Sequence, residues 1–298
     1  MMDEDGKQVA VAVLGLGRMG RAVAERLLDG GFDVTVWNRS PGRTDGLVDQ
    51  GASVAGSVAE AVGSVQVVVT FVADDGALRD IGMRDDGVLA HLGDRWWVDM
   101  STVSAELSGL LAGRCDRFGS MPVLGRPDAL RAGEATLLLG ARQDLQERIG
   151  SIVAALSPKV LRFPEPPLAA AAKLATNSVL LSGITALAEA FAIGRAGGLD
   201  TAQLRALFQG SPVVAAALAN RFDAVLEGEG DAWWTVELGH KDARLALELA
   251  DAGGVALPLV STVRERFDQA RSAGLADEDI AAVTRLYGAA GVFDMTDR

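Results

Sequence analysis

Short apolar, β-branched runs recur through the first half of the chain: VAVAVLG (9–15), DVTVWN (33–38), VQVVVTFV (65–72), WWVDM (96–100) and ATLLLG (135–140). Each is apolar almost without interruption, which suits strands covered on both faces, as in a parallel sheet. Amphipathic stretches such as 19–29 lie between them, and this strand–helix alternation predicts a doubly wound α/β domain. Beyond Pro164-Glu165-Pro166-Pro167 the strand pattern stops. Residues 168–197 read as one long helix, apolar nearly all round and therefore expected to be buried on most faces, closing at Gly197-Gly198. Further helices are predicted near 201–209, 212–227, 232–251, 258–273 and 277–288. The chain is thus an α/β domain over 1–163 and an all-α domain over 164–298, joined by the long helix; 298 residues fit two domains at roughly 150 each.

Composition narrows the partners. With 49% apolar and 23% charged residues the chain has globular proportions, and 28 basic against 40 acidic side chains give a net charge of −12. Such a surface repels nucleic acid and anionic membranes. One cysteine, Cys115, and two histidines, His91 and His240, leave no disulfide framework and no zinc-type centre, so no metal is expected. The start MMDEDGKQ lacks the basic and apolar regions of a secretory signal, and Lys173, Asn177 and Glu189 interrupt the longest apolar stretch, making it a poor membrane span. The expected setting is cytoplasmic, and the expected partner a small molecule.

The first strand runs directly into Gly15-Leu16-Gly17-Arg18-Met19-Gly20 and then a helix. In G-x-G-x-x-G, the first glycine allows the tight turn, the second lets the backbone approach a pyrophosphate, and the third lets helix and strand pack closely. The helix start adds N–H donors and a positive dipole end. These six residues form the predicted dinucleotide site of a Rossmann-type domain. The second strand ends in Asn38-Arg39-Ser40, where NAD-selective sites usually carry an acid for the ribose hydroxyls. A guanidinium there pairs with a 2′-phosphate that an acid would repel, so NADP(H) is predicted over NAD(H).

Only four lysines exist, and Lys173 lies inside the most apolar helix. Burial lowers an ammonium's pKa and suits it to proton donation; alternatively the side chain snorkels to solvent. Asn177, one turn on, shares its face and can orient the lysine or hold a substrate oxygen. Lys241, with Glu237 four residues before it and Asp242 beside it, reads as a surface ion pair. Asp99-Met100-Ser101-Thr102 ends the fourth strand, where ligands collect in open α/β sheets, although Ser and Thr there also cap helices.

In this order the segments GLGRMG (15–20), DMST (99–102), PVLGRPDALRAGEATLLLG (122–140), KLATN (173–177) and LGHKDARLA (238–246) resemble the β-hydroxyacid dehydrogenase family. Its relatives include 3-hydroxyisobutyrate dehydrogenases, glyoxylate/succinic semialdehyde reductases, 6-phosphogluconate dehydrogenase-like proteins and, more distantly, imine reductases. The resemblance covers nearly the whole chain. It implies a Rossmann domain and a helical domain in homodimers or homotetramers, and hydride transfer between NADP(H) and a small aldehyde or keto acid, or its hydroxy acid in reverse. It implies catalytic roles for Lys173 and Asn177 and cofactor contacts at Val72, Ala73, Ala77, Thr102 and Lys241. The substrate side is expected to comprise Ser101, Thr102, Leu124, Gly125, Arg126 and Lys241. The sequence departs from the family pattern at Leu124, which lacks a serine hydroxyl, at Arg126, which replaces glycine, at Thr176 and Ala169, and at Ala105, where a proline is missing. Imine reduction and catalytically silent NADP binding remain as alternatives.

Overall fold

The structure is a computed structural model that describes residues 9–288. It divides into two compact units, Met1–Lys173 and Leu174–Arg298, so that the division falls within one helix, Pro166–Ala196.

The first unit is built on β1 (Ala10–Leu14), β2 (Asp33–Trp37), β3 (Ser53–Val54), β4 (Val67–Thr70), β5 (Trp96–Asp99), β6 (Phe118–Ser120), β7 (Val123–Leu124), β8 (Thr136–Gly140) and β9 (Val160–Phe163). These form one sheet in the order β3-β2-β1-β4-β5-β6-β8-β7, with β9 on β8. From β3 to β6 the pairing is parallel; β8 runs antiparallel to β6 and β7. The strands are continuously apolar because both faces are covered. Val11, Val13, Val67 and Val69 enter one core with Val23 and Leu27, whereas Ala12, Leu14 and Val68 enter the other with Leu78 and Leu107. The chain reverses its direction of winding between β1 and β4, which makes their carboxyl ends the expected ligand-binding edge. Strands β3, β6, β7 and β9 are two to four residues long, too short for the sequence pattern to reveal, and β9 is partly exposed.

In the second unit, helix Pro166–Ala196 contributes Leu174, Leu181, Ile184, Leu187, Ala188 and Phe191 to a core with Phe222, Val236, Leu245, Phe267 and Ile280. Its opposite face is not covered: Leu168, Val179 and Ile193 are 45%, 72% and 73% exposed. The expectation of burial on most faces is therefore corrected. The neighbouring helices cover one stripe, and the other stays bare although it too is apolar. By length and hydropathy alone this helix would qualify to span a bilayer, yet the residues it buries are those from which the core is assembled. The helix expected over 212–227 breaks into Ala216–Ala219 and Phe222–Glu227, and Ile280–Tyr287 is a 3₁₀ helix.

A buried ion pair ties these pieces together. Arg221 donates from Nη1 to Asp279 Oδ1 at 2.5 Å, and its guanidinium stacks 4.3 Å over Trp233. The same Asp279 oxygen accepts from the Ala281 N–H and so caps the 3₁₀ helix. Burial raises the Asp279 pKa, against the lowering effect of Arg221. Arg221→Met strands a buried carboxylate, and we expect it to cost about 3–5 kcal/mol in urea unfolding; a loss below about 1 kcal/mol would show that the pair behaves as an exposed one.

Candidate functional site

The turn after β1 is fixed by backbone crowding. Gly15 has φ +98°, and a Cβ there would lie 2.2 Å from the Phe71 carbonyl oxygen. A Cβ on Gly20 would lie 1.9 Å from the Gly15 carbonyl oxygen. Neither place admits a side chain, so the helix Arg18–Asp29 starts hard against β1 and β4. Gly17 differs: a Cβ there meets nothing within 4 Å, and no side chain caps the helix start. The helix N-terminus thus presents its donors to an open cradle that fits a pyrophosphate. Leu16 is buried, Met19 packs against the core, and Arg18 is exposed.

Asn38 braces this turn. Its Oδ1 accepts from the Leu16 N–H at 2.8 Å, and its Nδ2 donates to the Ser40 carbonyl at 2.9 Å. The amide expected at the cofactor's ribose is therefore engaged with the protein's own backbone. Arg39 and Ser40 follow, both exposed.

At the ends of β4 and β5 lies a buried polar cluster. Asp99 Oδ1 accepts from Thr70 Oγ1 at 2.7 Å and from Ser101 Oγ at 2.8 Å. Trp97 Nε1 donates to Thr70 Oγ1, and the Val72 N–H donates to Ser101 Oγ at 2.8 Å. Burial pushes the Asp99 pKa up to about 6 despite these donors. Ser101, expected to face substrate, is buried with its hydroxyl engaged in this cluster. Thr102 and Val72 are half-buried, and Ala73 is exposed beyond β4; half-buried Ala77 donates its N–H to Asp74 Oδ1 in the cap of the following helix.

Lys173 closes the first unit. Its half-buried ammonium donates to the Val123 carbonyl at 2.7 Å, so the side chain is tied down and does not snorkel freely. Val123 belongs to β7, which leads into Leu124, Gly125 and Arg126. Leu124 is half-buried, and Arg126 pairs with Asp128 at 2.7 Å on the surface.

In the second unit Asn177 and Lys241 meet at Asp242, the neighbour expected to form a surface pair with Lys241. Asn177 Nδ2 donates to Asp242 Oδ2 at 2.8 Å, and Lys241 Nζ lies 3.1 Å from Asp242 Oδ1. All three side chains are buried, which corrects the expectation of a surface pair for Lys241. Glu237 instead pairs with Arg271, and the Asn177 amide turns to Asp242 and not to Lys173. Because Asp242 can only accept, it fixes the amide with Oδ1 pointing away; that buried oxygen accepts no hydrogen bond from the described residues. The arrangement offers an acceptor to an incoming hydroxyl. Among the described residues no cluster suited to a metal is present.

Known proteins share this architecture from end to end. Residues 10–163 match the family profile described as the NAD binding domain of 6-phosphogluconate dehydrogenase. Residues 168–287 match that described as NAD-binding of NADP-dependent 3-hydroxyisobutyrate dehydrogenase. An uncharacterized oxidoreductase, YfjR, of Bacillus subtilis (strain 168) is 32% identical over 285 residues, covering 92% of this chain and 98% of that protein. Glyoxylate/succinic semialdehyde reductase 1 of Arabidopsis thaliana is 30% identical over 278 residues, covering 92% and 96%. The crystal structure of a 3-hydroxyisobutyrate dehydrogenase from Salmonella typhimurium superposes with a TM-score of 0.83 at 25% identity, over 94% and 100% of the two chains.

The raised Asp99 pKa makes a signed prediction. The unfolded carboxyl ionises near its ordinary value of 3.8, whereas the folded one keeps its proton until about 6. The folded state therefore pays a penalty above that value, relieved as pH falls through this window. Relative to Asp99→Asn, the wild type should gain most of about 3 kcal/mol between pH 7 and pH 4 in urea unfolding. A pH-independent difference would mean that folding does not perturb this carboxyl.

Proposed function

The chain belongs to the β-hydroxyacid dehydrogenase family, and from that premise we propose that it is an NADP(H)-dependent reductase of a small aldehyde or keto acid. That it is a nicotinamide-cofactor oxidoreductase follows from its family and its relatives. The choice of NADP(H) is supported by Arg39 in the place of an acid. The one observation that carries the reaction is the hydrogen bond from Lys173 to the Val123 carbonyl, which anchors an ammonium beside the turn 124–126.

The cofactor, when bound, supplies the hydride for the substrate's carbonyl carbon. Lys173 then gives a proton to the developing alkoxide oxygen and recovers one from solvent; in the oxidative direction it takes the proton back. Asn177, held by Asp242, accepts a hydrogen bond through its unused Oδ1 from the hydroxyl of the hydroxy acid, the product of reduction and the substrate of the reverse reaction. Arg126 supplies the positive charge for a carboxylate that Leu124 cannot hold by a hydroxyl. Its present partner, Asp128, is an exposed one, so exchanging it for substrate costs about 1 kcal/mol at most.

Lys173→Ala should lower kcat by about 10²–10⁴-fold while NADPH affinity stays nearly unchanged, read by steady-state kinetics and cofactor fluorescence titration. Turnover with NADPH should exceed that with NADH. Undiminished turnover in the variant removes Lys173 from the mechanism, and a cyclic imine reduced faster than any aldehyde or keto acid replaces the carbonyl reading.

The bare stripe of helix Pro166–Ala196 favours a homodimer, because Leu168, Val179 and Ile193 form an apolar face that a second copy would cover. Light scattering should give twice the 31.0 kDa chain mass. Val179→Glu should shift the particle toward a single chain; a wild-type monomer refutes this assembly.

A further inference from the structure

We propose that Asp99 is a positioning residue for the nicotinamide end of the cofactor site, holding the Val72 amide in place through the hydroxyl of Ser101. The hydrogen-bond directions leave little choice. The Val72 N–H can only donate, so Ser101 Oγ accepts it, and the hydroxyl's single proton goes to Asp99 Oδ1. In the same way the Trp97 indole N–H donates to Thr70 Oγ1, whose proton also goes to Asp99 Oδ1. One carboxylate oxygen thus gathers two hydroxyls, one from the end of β4 and one from just beyond β5.

The rest of the cluster makes this arrangement costly for folding. Asp99 is fully buried, and its Oδ2 accepts nothing from the described residues. Asp75, the charged group that faces it from the next helix, is also negative. A position needed only for stability is better filled by an apolar side chain than by a buried acid. Asp75 meanwhile ties the far end of the same loop to the segment after β5, accepting from Ser104 N at 2.8 Å and from Ser104 Oγ at 2.5 Å. The segment from Val72 to Asp75 is therefore clasped at both ends to the segment after β5.

Topology says what that segment meets. In a doubly wound sheet the dinucleotide lies across the switch point, with its phosphates at the turn after the first strand. Here that turn follows β1, and β4 and β5 lie on the side away from β2, where Arg39 stands. An adenosine half toward β2 leaves the nicotinamide half toward Val72 and Thr102. The inference rests on that placement, which belongs to the proposed reading.

Isothermal titration with NADPH and with ADP-ribose 2′-phosphate, which lacks the nicotinamide half, tests it. Asp99→Leu and Ser101→Ala should each weaken NADPH binding on the order of tenfold and leave the fragment within about twofold. Asp99→Asn, which keeps the Oδ1 acceptor, should restore most of the NADPH affinity. The double variant should be no weaker than the poorer single one, since both cut the same chain. Equal weakening of both ligands, or losses that multiply in the double variant, overturn the inference while leaving the cofactor reading intact. A wild-type chain that binds neither NADPH nor NADH overturns that reading and the inference with it. If Asp99→Leu does not fold, Ser101→Ala decides alone, because it severs Val72 from the carboxyl and leaves Asp99 in place.

Discussion

Two missing side chains govern the first unit. The Gly15 turn lies so close to the Phe71 carbonyl, and Gly20 so close to Gly15, that a single methyl at either place would collide with backbone. Because backbone cannot yield as a flexible side chain can, the first helix is held at one distance from β1 and β4. Its N-terminal donors are thereby aimed over the switch point. The bracing by Asn38 follows from the same crowding: Leu16 is buried at a turn without strand partners, and its N–H must be satisfied by a side chain. Gly17 alone in the motif faces open space, which is the property a phosphate requires.

The buried polar groups among the described residues serve different ends. The Arg221–Asp279 pair joins a helix, two tryptophans and the 3₁₀ segment, a structural role that a stack and a cap explain fully. The Asp99 cluster and the Asn177–Asp242–Lys241 group are not explained that way. All three leave a buried oxygen without a donor among the described residues, Asp279 Oδ2, Asp99 Oδ2 and Asn177 Oδ1, but only the first belongs to a pair whose stack and cap account for it. An unsatisfied buried acceptor costs roughly 1–3 kcal/mol, so its presence points to a demand other than folding. Asn177 in particular has unusual surroundings for a purely structural amide: its nitrogen donates to Asp242, and its oxygen accepts nothing from the described residues.

The parts of this molecule that follow periodicity are those the sequence shows openly. The central strands β1, β2, β4, β5 and β8 and the helices on either side of Gly197-Gly198 appear within a residue or two of their predicted limits. Strands of two to four residues such as β3, β7 and β9 escape, because pairing with a neighbour, not local preference, makes them strands. Lys173 stands out in the sequence as a charge in an apolar helix, but its partner is a main-chain carbonyl 50 positions away, which no side-chain pattern encodes. Lys241 misleads for a related reason. Two acids within a turn suggest a solvated pair, whereas the helix Val236–Ala252 buries the lysine and Asp242 together and sends Glu237 outward to Arg271. The bare face of helix Pro166–Ala196 is hidden from hydropathy, since Leu168, Val179 and Ile193 make it apolar as well.

The same logic bears on the turn that follows β7. A serine hydroxyl holds a carboxylate by one short neutral donor and admits little else, whereas a guanidinium offers a planar fork of five donors and a full charge at the end of a long stem. In the proposed reading, Leu124 in place of the first and Arg126 in place of a glycine shift recognition from a fixed hydroxyl at close range to a charge with reach. Leu124 at the same time adds apolar surface where the hydroxyl would stand. In the proposed reading, such a turn disfavours compact polar acids and suits a substrate whose anionic group is separated from its carbonyl by an apolar segment. The Asp128 carboxylate that Arg126 now meets, through one guanidinium nitrogen at 2.7 Å, is an exposed anion that such a substrate group could replace.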